Sequence, residues 1–188
     1  MVRCHWAQTD LSIQYHDQEW GVPLHDDTEL FAFLVLEGAQ AGLNWEIILK
    51  KRPVYYQVYD GFQPDLVAVY DSRKLDCLLL EPGIVRNKRK IYSSIQNARV
   101  FVEIQHEFGS FDHFIWDFVN RNPIQNNFSS ITDVPAQTLL SAQISLDLRK
   151  RGMNFVGPTI MYAFMQAVGM VNDHLEECFR HQEVKQLV

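Results

Sequence analysis

Residues 80–90 read Leu80-Glu81-Pro82-Gly83-Ile84-Val85-Arg86-Asn87-Lys88-Arg89-Lys90, and the reading of this stretch decides the fold. A helix bearing Leu75, Leu78 and Leu79, capped by Asp71 or Ser72, stops at Glu81-Pro82-Gly83, because proline and glycine break the helical pattern. A basic helix start follows at once, from Arg86 to Lys90. Helix, tight turn and basic helix over about residues 73–90 make the pattern of a helix-hairpin-helix. Gly83 frees backbone N–H groups at a helix N-terminus, where a phosphate oxygen can be held, and Arg86, Lys88 and Lys90 add Coulomb attraction. A plain proline-glycine turn between two helices fits the same residues. The stretch alone leaves both readings open.

Outward from the hairpin the chain reads as helices. On the C-terminal side a long helix over 87–107 carries the stripe Ile91, Ile95, Ala98 and Val102, whose spacing is that of a core-facing helix. A Phe-rich helix over 111–119 follows, then a polar loop over 121–134, then helices over 135–151 and 158–168 separated by Gly152 and Gly157. On the N-terminal side, Asp27 or Thr28 caps an apolar helix through Leu36, and Asn44 caps another through Lys51. Pro53 and Pro64 suit first helical turns, opening short helices through Tyr59 and Tyr70. Residues 1–27 are loop-like. No stretch alternates with the period of a strand, so the expected class is all-α: one domain over 1–188, built as two interlocked helical lobes.

The totals narrow the function. The chain has 188 residues and no apolar run near the ~20 residues of a membrane span. The start, MVRCHWAQTD, is no signal peptide, so the expected compartment is the cytoplasm. A net charge of −6 argues against a nucleic-acid partner. The distribution argues the other way: ten of the 17 basic residues lie in the clusters 50–52, 86–90 and 149–151. Such clusters also arise as solvated helix ends, where cations complement the dipole.

Three constellations could carry chemistry. The first is Glu37, the one charge in the stretch Leu30 to Trp45, LFAFLVLEGAQAGLNW. Burying an isolated carboxylate costs several kcal/mol unless its pKa rises or donors surround it. It is either solvated at a helix end or a functional acid. The second is metal: Cys4 and His16 near one end, His174 and Cys178 as H-x-x-x-C near the other. Two cysteines and two histidines form a closed tetrahedral set of the kind structural zinc takes, and here zinc would clasp segments 1–20 and 170–180 together. With seven histidines and three cysteines in the chain, four unrelated residues fit too. Cys77, among leucines, reads as a core thiol. The third is aromatic. If the clasp folds the N-terminal segment over Glu37, then Trp6, Tyr15, Trp20 and Trp45 surround the acid and form a pocket for a flat cationic ring. An apolar core is the usual fate of any one of them.

The motifs C-x-W (Cys4, Trp6), Y-H-D-x-E-W-G-V-P (Tyr15 to Pro23) and L-E-G-x-Q-A-G-L-x-W (Leu36 to Trp45) closely resemble bacterial type I 3-methyladenine DNA glycosylases. So do G-I-x-R-x-x-x-K-I (Gly83 to Ile91), K-R-G-x-x-F-V-G-x-T (Lys150 to Thr159) and G-x-V-N-D-H (Gly169 to His174). The resemblance runs along essentially the whole chain. It implies a helix-hairpin-helix DNA glycosylase fold, with zinc on Cys4, His16, His174 and Cys178. It also implies a base pocket of Glu37, Tyr15, Trp20 and Trp45, with Trp6 nearby. The family lacks the aspartate that most relatives place after the hairpin, so Asp133 receives no catalytic role. Departures include Ser12, where family members often have a tyrosine, and Pro82 in the hairpin.

The expected activity is therefore monofunctional excision of 3-methyladenine from alkylated double-stranded DNA, initiating base excision repair. The protein would act as a monomer, with no membrane partner. Glu37 reads the adenine edge, and Gly42-Leu43 wedges into the gap left by the flipped nucleotide. A non-catalytic binder of alkylated DNA or of free methylated purine is the alternative.

Overall fold

The computed structural model describes residues 1–187. Ten α-helices, two short 3-10 turns and one pair of two-residue strands make up the described chain. Its centre is α2 (Asp27–Gln40), capped by the Asp26 side chain and buried continuously from Leu30 to Ala39. A helix with no polar face must be surrounded. Here α3 (Trp45–Val58), α6 (Lys88–Phe108), α7 (Phe111–Asp117) and α9 (Pro158–Ala167) pack around it. One contiguous apolar core results. The outer layer holds α4 (Pro64–Ala68) and α5 (Ser72–Leu80), both packed on α6, and α8 (Leu139–Lys150), packed on α9.

Asn44 caps α3 and Asp71 caps α5 as expected, and Asn87 caps α6, each accepting from a backbone N–H of the first turn, whereas α2 is capped by Asp26 and not by Asp27 or Thr28, and runs past Leu36 to Gln40. Other expectations need correction. Residues 1–27 contain a helix, α1 (Asp10–Gln18), started by a reciprocal cap between Thr9 and Ser12. Pro53 opens no new helix but lies inside α3, on its exposed face. Burial of Ile48, Leu49 and Tyr55 carries that helix across a break costing roughly 3 kcal/mol. On α6 the core face takes Val100, Phe101 and Ile104, and Val102 is only half-buried. α8 starts at Leu139 rather than at Pro135.

Cys77 is exposed, not a core thiol. α5 lies on the surface and buries only Leu78 fully, so a residue one step round the helix faces water. The polar loop contributes β1 (Ile124–Gln125), which pairs in parallel with β2 (Val171–Asn172).

The two ends of the chain meet. Gly21 and Leu24 donate backbone hydrogen bonds to the carbonyls of Gln166 and Val168, at 3.1 Å each. Gly169, at φ +74°, sits so close to this segment that a Cβ would lie 2.4 Å from the Val22 carbonyl carbon. Only glycine fits there. No described helix is long and apolar enough to cross a membrane.

Candidate functional site

α1 presents Tyr15 and His16 to different neighbours: the phenol packs toward Trp45 and the imidazole toward the C-terminal segment. His16 meets Cys4, His174 and Cys178, all four buried, with ligand atoms within 4.8 Å of one another. His16 Nε2 lies 3.4 Å and His174 Nδ1 3.6 Å from the Cys178 sulfur, and His174 Nδ1 is 3.7 Å from that of Cys4. The outward nitrogens are engaged. His16 Nδ1 is 2.8 Å from the Asp17 carboxylate, which Arg3 holds from its other side, and His174 Nε2 donates to the Trp20 carbonyl at 3.0 Å. Fixing the outer nitrogen aims the inner lone pair at a shared centre, the arrangement found around metal-bound imidazoles. Hydrogen bonds from Cys4, then His16 and His174, hold the Cys178 sulfur well below the usual thiol range. The four residues fit a metal ion.

On this cluster rests a cavity of about 610 Å³. Trp20 stands edge-on to His174 at 4.6 Å between ring centres and to Trp6 at 5.1 Å. Trp6 lies 6.2 Å from Tyr15, and Tyr15 5.5 Å from Trp45. All four rings and Glu37 line the space. Glu37, 4% exposed, lies on the last turn of α2, and its Oε2 has no protein partner. Burial pushes its carboxyl up to about 8. Trp45 Nε1 is likewise buried without a partner. One wall thus offers a carboxyl oxygen and an indole N–H, both unmet by protein.

The lining also holds a buried acid that sequence reasoning missed. Asp173 is 2% exposed and accepts from the Tyr162 hydroxyl at 2.6 Å, Gln166 Nε2 at 2.8 Å and Asn126 Nδ2 at 2.7 Å. Its motif, V-N-D-H, was visible, but only the histidine had an assigned role. With Glu37 and Glu46 it gives the lining three carboxyl groups, and no lysine, arginine or histidine is among the described lining residues. Asp133 does not line the cavity: it accepts from the Ser130 N–H inside a 3-10 turn, while its neighbours Ile131 and Val134 do line it. Ser12 lines the cavity too, its hydroxyl spent on capping α1.

The hairpin turn between α5 and α6 docks on α3. Gly83 is required by contact rather than by φ, since a Cβ would sit 2.4 Å from Val54 Cγ1. Its N–H, expected to be open to an anion, donates to the Glu81 carboxylate at 2.7 Å, and the Val85 N–H donates to the Tyr55 hydroxyl at 3.1 Å. Arg86, Lys88 and Arg89 are exposed and make no ion pair among the described residues, and the amides of Lys88 and Arg89 begin α6, where intrahelical acceptors are lacking. The other basic clusters are largely engaged: Arg52 with Glu19, Arg151 with Glu107 and Asp147. Lys90 departs from its expected place beside Arg86 and Lys88. Its ammonium turns inward and donates to the Ala39 and Ala41 carbonyls at 2.8 and 2.7 Å. Gly42, at φ +77°, and Leu43, 39% exposed, follow directly at the cavity's edge of α2.

Fold and cavity are of the methyladenine glycosylase class. The model of that family matches residues 6–181, and the chain belongs to it. It is 42% identical to DNA-3-methyladenine glycosylase 1 of Escherichia coli (strain K12) over 179 residues, 95% of this chain and 96% of the relative. A crystal structure of 3-methyladenine DNA glycosylase I matches with a TM-score of 0.92 at 42% identity, over 95% of this chain and 98% of the other. A tyrosine-to-phenylalanine variant of 3-methyladenine DNA glycosylase I, in complex with 3-methyladenine, matches with a TM-score of 0.92 at 32% identity, over 95% and 97% of the two chains.

Proposed function

We propose that this protein is a monofunctional DNA glycosylase that excises 3-methyladenine from alkylated double-stranded DNA. The observation that carries the reading is Glu37 Oε2, buried among Tyr15, Trp20 and Trp45 with no protein partner. Methylation at N3 gives adenine a positive charge, so cleaving its glycosidic bond releases a neutral base and demands little acid catalysis. A flipped cationic ring stacks among the aromatics, and its charge favours loss of the Glu37 proton. The carboxylate then accepts from the exocyclic amine of adenine, where a guanine lesion would present an oxygen. Three acidic groups and no basic ones in the lining favour a cation over a neutral base. Water attacks the sugar C1′ and leaves an abasic site. The absence of lysine from the described lining leaves no amine for a lyase step.

Arg86, Lys88 and the first amides of α6 grip the phosphate backbone in a helix-hairpin-helix, with Gly83 shaping the turn, while Gly42-Leu43 fills the gap left by the flipped nucleotide. Cys4, His16, His174 and Cys178 hold one zinc ion, whose contribution when bound is a cross-link between the ends of a single domain. The active form is a monomer in the cytoplasm. Incubation with methylated duplex DNA, followed by chromatography of the released bases, tests the activity. Release of 3-methyladenine is expected; tight binding without release would instead favour a non-catalytic reader of alkylated DNA.

A further inference from the structure

We propose that Lys90 is a positioning residue that locks the base-reading end of α2 to the DNA-gripping start of α6. The proposal rests on the glycosylase reading. α2 has no basic residue in its last turn, so its C-terminal carbonyls lack a cation of their own. Lys90 supplies one from another helix, through charge-assisted bonds to Ala39 and Ala41. Those carbonyls lie between Glu37 and Gly42-Leu43, in the segment that must hold both the reader and the wedge.

The same helix holds this segment a second time. Two turns further along α6, Asn97 Nδ2 donates to the Asn154 carbonyl and Asn97 Oδ1 accepts from the Asn154 N–H, each at 2.8 Å. Phe155, next in sequence, packs on Gly38 so closely that a Cβ there would lie 3.3 Å from its own Cβ. Phe155 is kept at φ +54° to do so, a conformation non-glycine residues rarely adopt. Residues 38–41 are therefore clamped by α6 at both ends. Arg86 and Lys88 point outward one turn or less before Lys90, so a phosphate held at the start of α6 stands in fixed register with Glu37 and Leu43. Burial also pulls the Lys90 ammonium below its usual pKa, as an inward-facing cation requires.

The test compares Lys90→Met, Lys90→Arg and Lys88→Met. For each, the salt dependence of binding to undamaged duplex, single-turnover excision at saturating enzyme, and affinity for free 3-methyladenine are measured on folded protein. A lysine on a phosphate contributes about one to the slope of log affinity against log salt. Lys90→Met is expected to keep that slope, lose about tenfold or more in excision rate and weaken free-base binding, with Lys90→Arg recovering most of both. Lys88→Met should reduce the slope by about one and is the reference for a lysine on a phosphate. A reduced slope with unimpaired excision for Lys90→Met would make Lys90 a phosphate contact and overturn the proposal. Loss of melting temperature with full activity per folded molecule would reduce it to a stabilising contact and overturn it as well. If the unaltered protein releases no base, the glycosylase reading fails. Unchanged free-base affinity in Lys90→Met would then overturn the positioning role on its own.

Discussion

Glu37 is a buried carboxyl with one oxygen left without a protein partner. Its carboxyl, pushed up to about 8, keeps a proton in the folded chain that the unfolded chain, near 4.5, gives up. Between those values the native state binds more protons than the unfolded one, so stability falls as pH rises through that window. Glu37→Gln removes the linkage while keeping the shape. Its unfolding free energy should match that of the unaltered protein near pH 4.5 and exceed it at pH 9 by on the order of 3–5 kcal/mol, read by denaturant titration at the two pH values. Excision should respond in the opposite sense. On the proposed reading, in which the ionised form accepts from the base, kcat/KM should rise toward pH 8 in the unaltered protein. The variant should show a flat profile at a rate about 100-fold lower, the order expected for one charge-assisted bond in a dry site. A pH series of base release on methylated DNA decides this. Equal rates would remove Glu37 from the chemistry. The sequence exposed this residue because nothing else in residues 30–45 carries charge. Asp173 stayed hidden because its donors come from two other elements, Tyr162 and Gln166 on α9 and Asn126 47 residues away.

At the scale of elements, what could be read was local and what could not was tertiary. Asn44, Asp71 and Asn87 announce their helices because a cap uses only its own first turn. α1 had an equally local signal in Thr9 and Ser12, masked by the aromatic and histidine residues around it. Pro53 misleads because its cost is outweighed by contacts that only the fold supplies. The inward turn of Lys90 was likewise beyond reach, since its acceptors lie 49 and 51 residues away. Gly83 yields a sharp prediction here. Gly83→Ala sets a methyl against Val54 Cγ1 at 2.4 Å and must push the turn off α3. Overpacking of this kind costs about 1–3 kcal/mol. Lower thermal stability together with weaker binding to undamaged duplex is expected, measured by melting and by titration at fixed salt. Unaltered binding would separate the turn from the DNA grip.

Across the whole molecule, the cavity wall depends on the Cys4, His16, His174 and Cys178 cluster, because the Trp20 carbonyl accepts from His174 Nε2 and the indole lies edge-on to that imidazole. Metal analysis of the pure protein should find about one zinc per chain, and Cys178→Ala close to none. Structural zinc contributes on the order of 10–16 kcal/mol in small domains. Prolonged chelation should therefore lower the melting temperature and abolish base release, with zinc restoring both. A metal-free protein of unchanged stability and activity would contradict the site. That Cys4, His16, His174 and Cys178 assemble was legible in their residue types, although His174 to Cys178 forms a turn ahead of the last helix (Phe179–Lys185) and not a helical face. That Asp17 and Trp20 orient the two imidazoles was not, since neither contact leaves a pattern in the sequence.

The meeting of residues 4 and 174, 170 positions apart, has a consequence during synthesis. Closing so long a loop is entropically late, because local helices form before distant segments find each other. On the ribosome, the ring of Trp20 emerges 154 positions ahead of His174, the residue that fixes its place. A nascent polypeptide stalled ahead of His174 can own Glu37, the hairpin and most of its helices, yet have no finished wall for a base to stack on. The wall is finished only once His174 and Cys178 have been made.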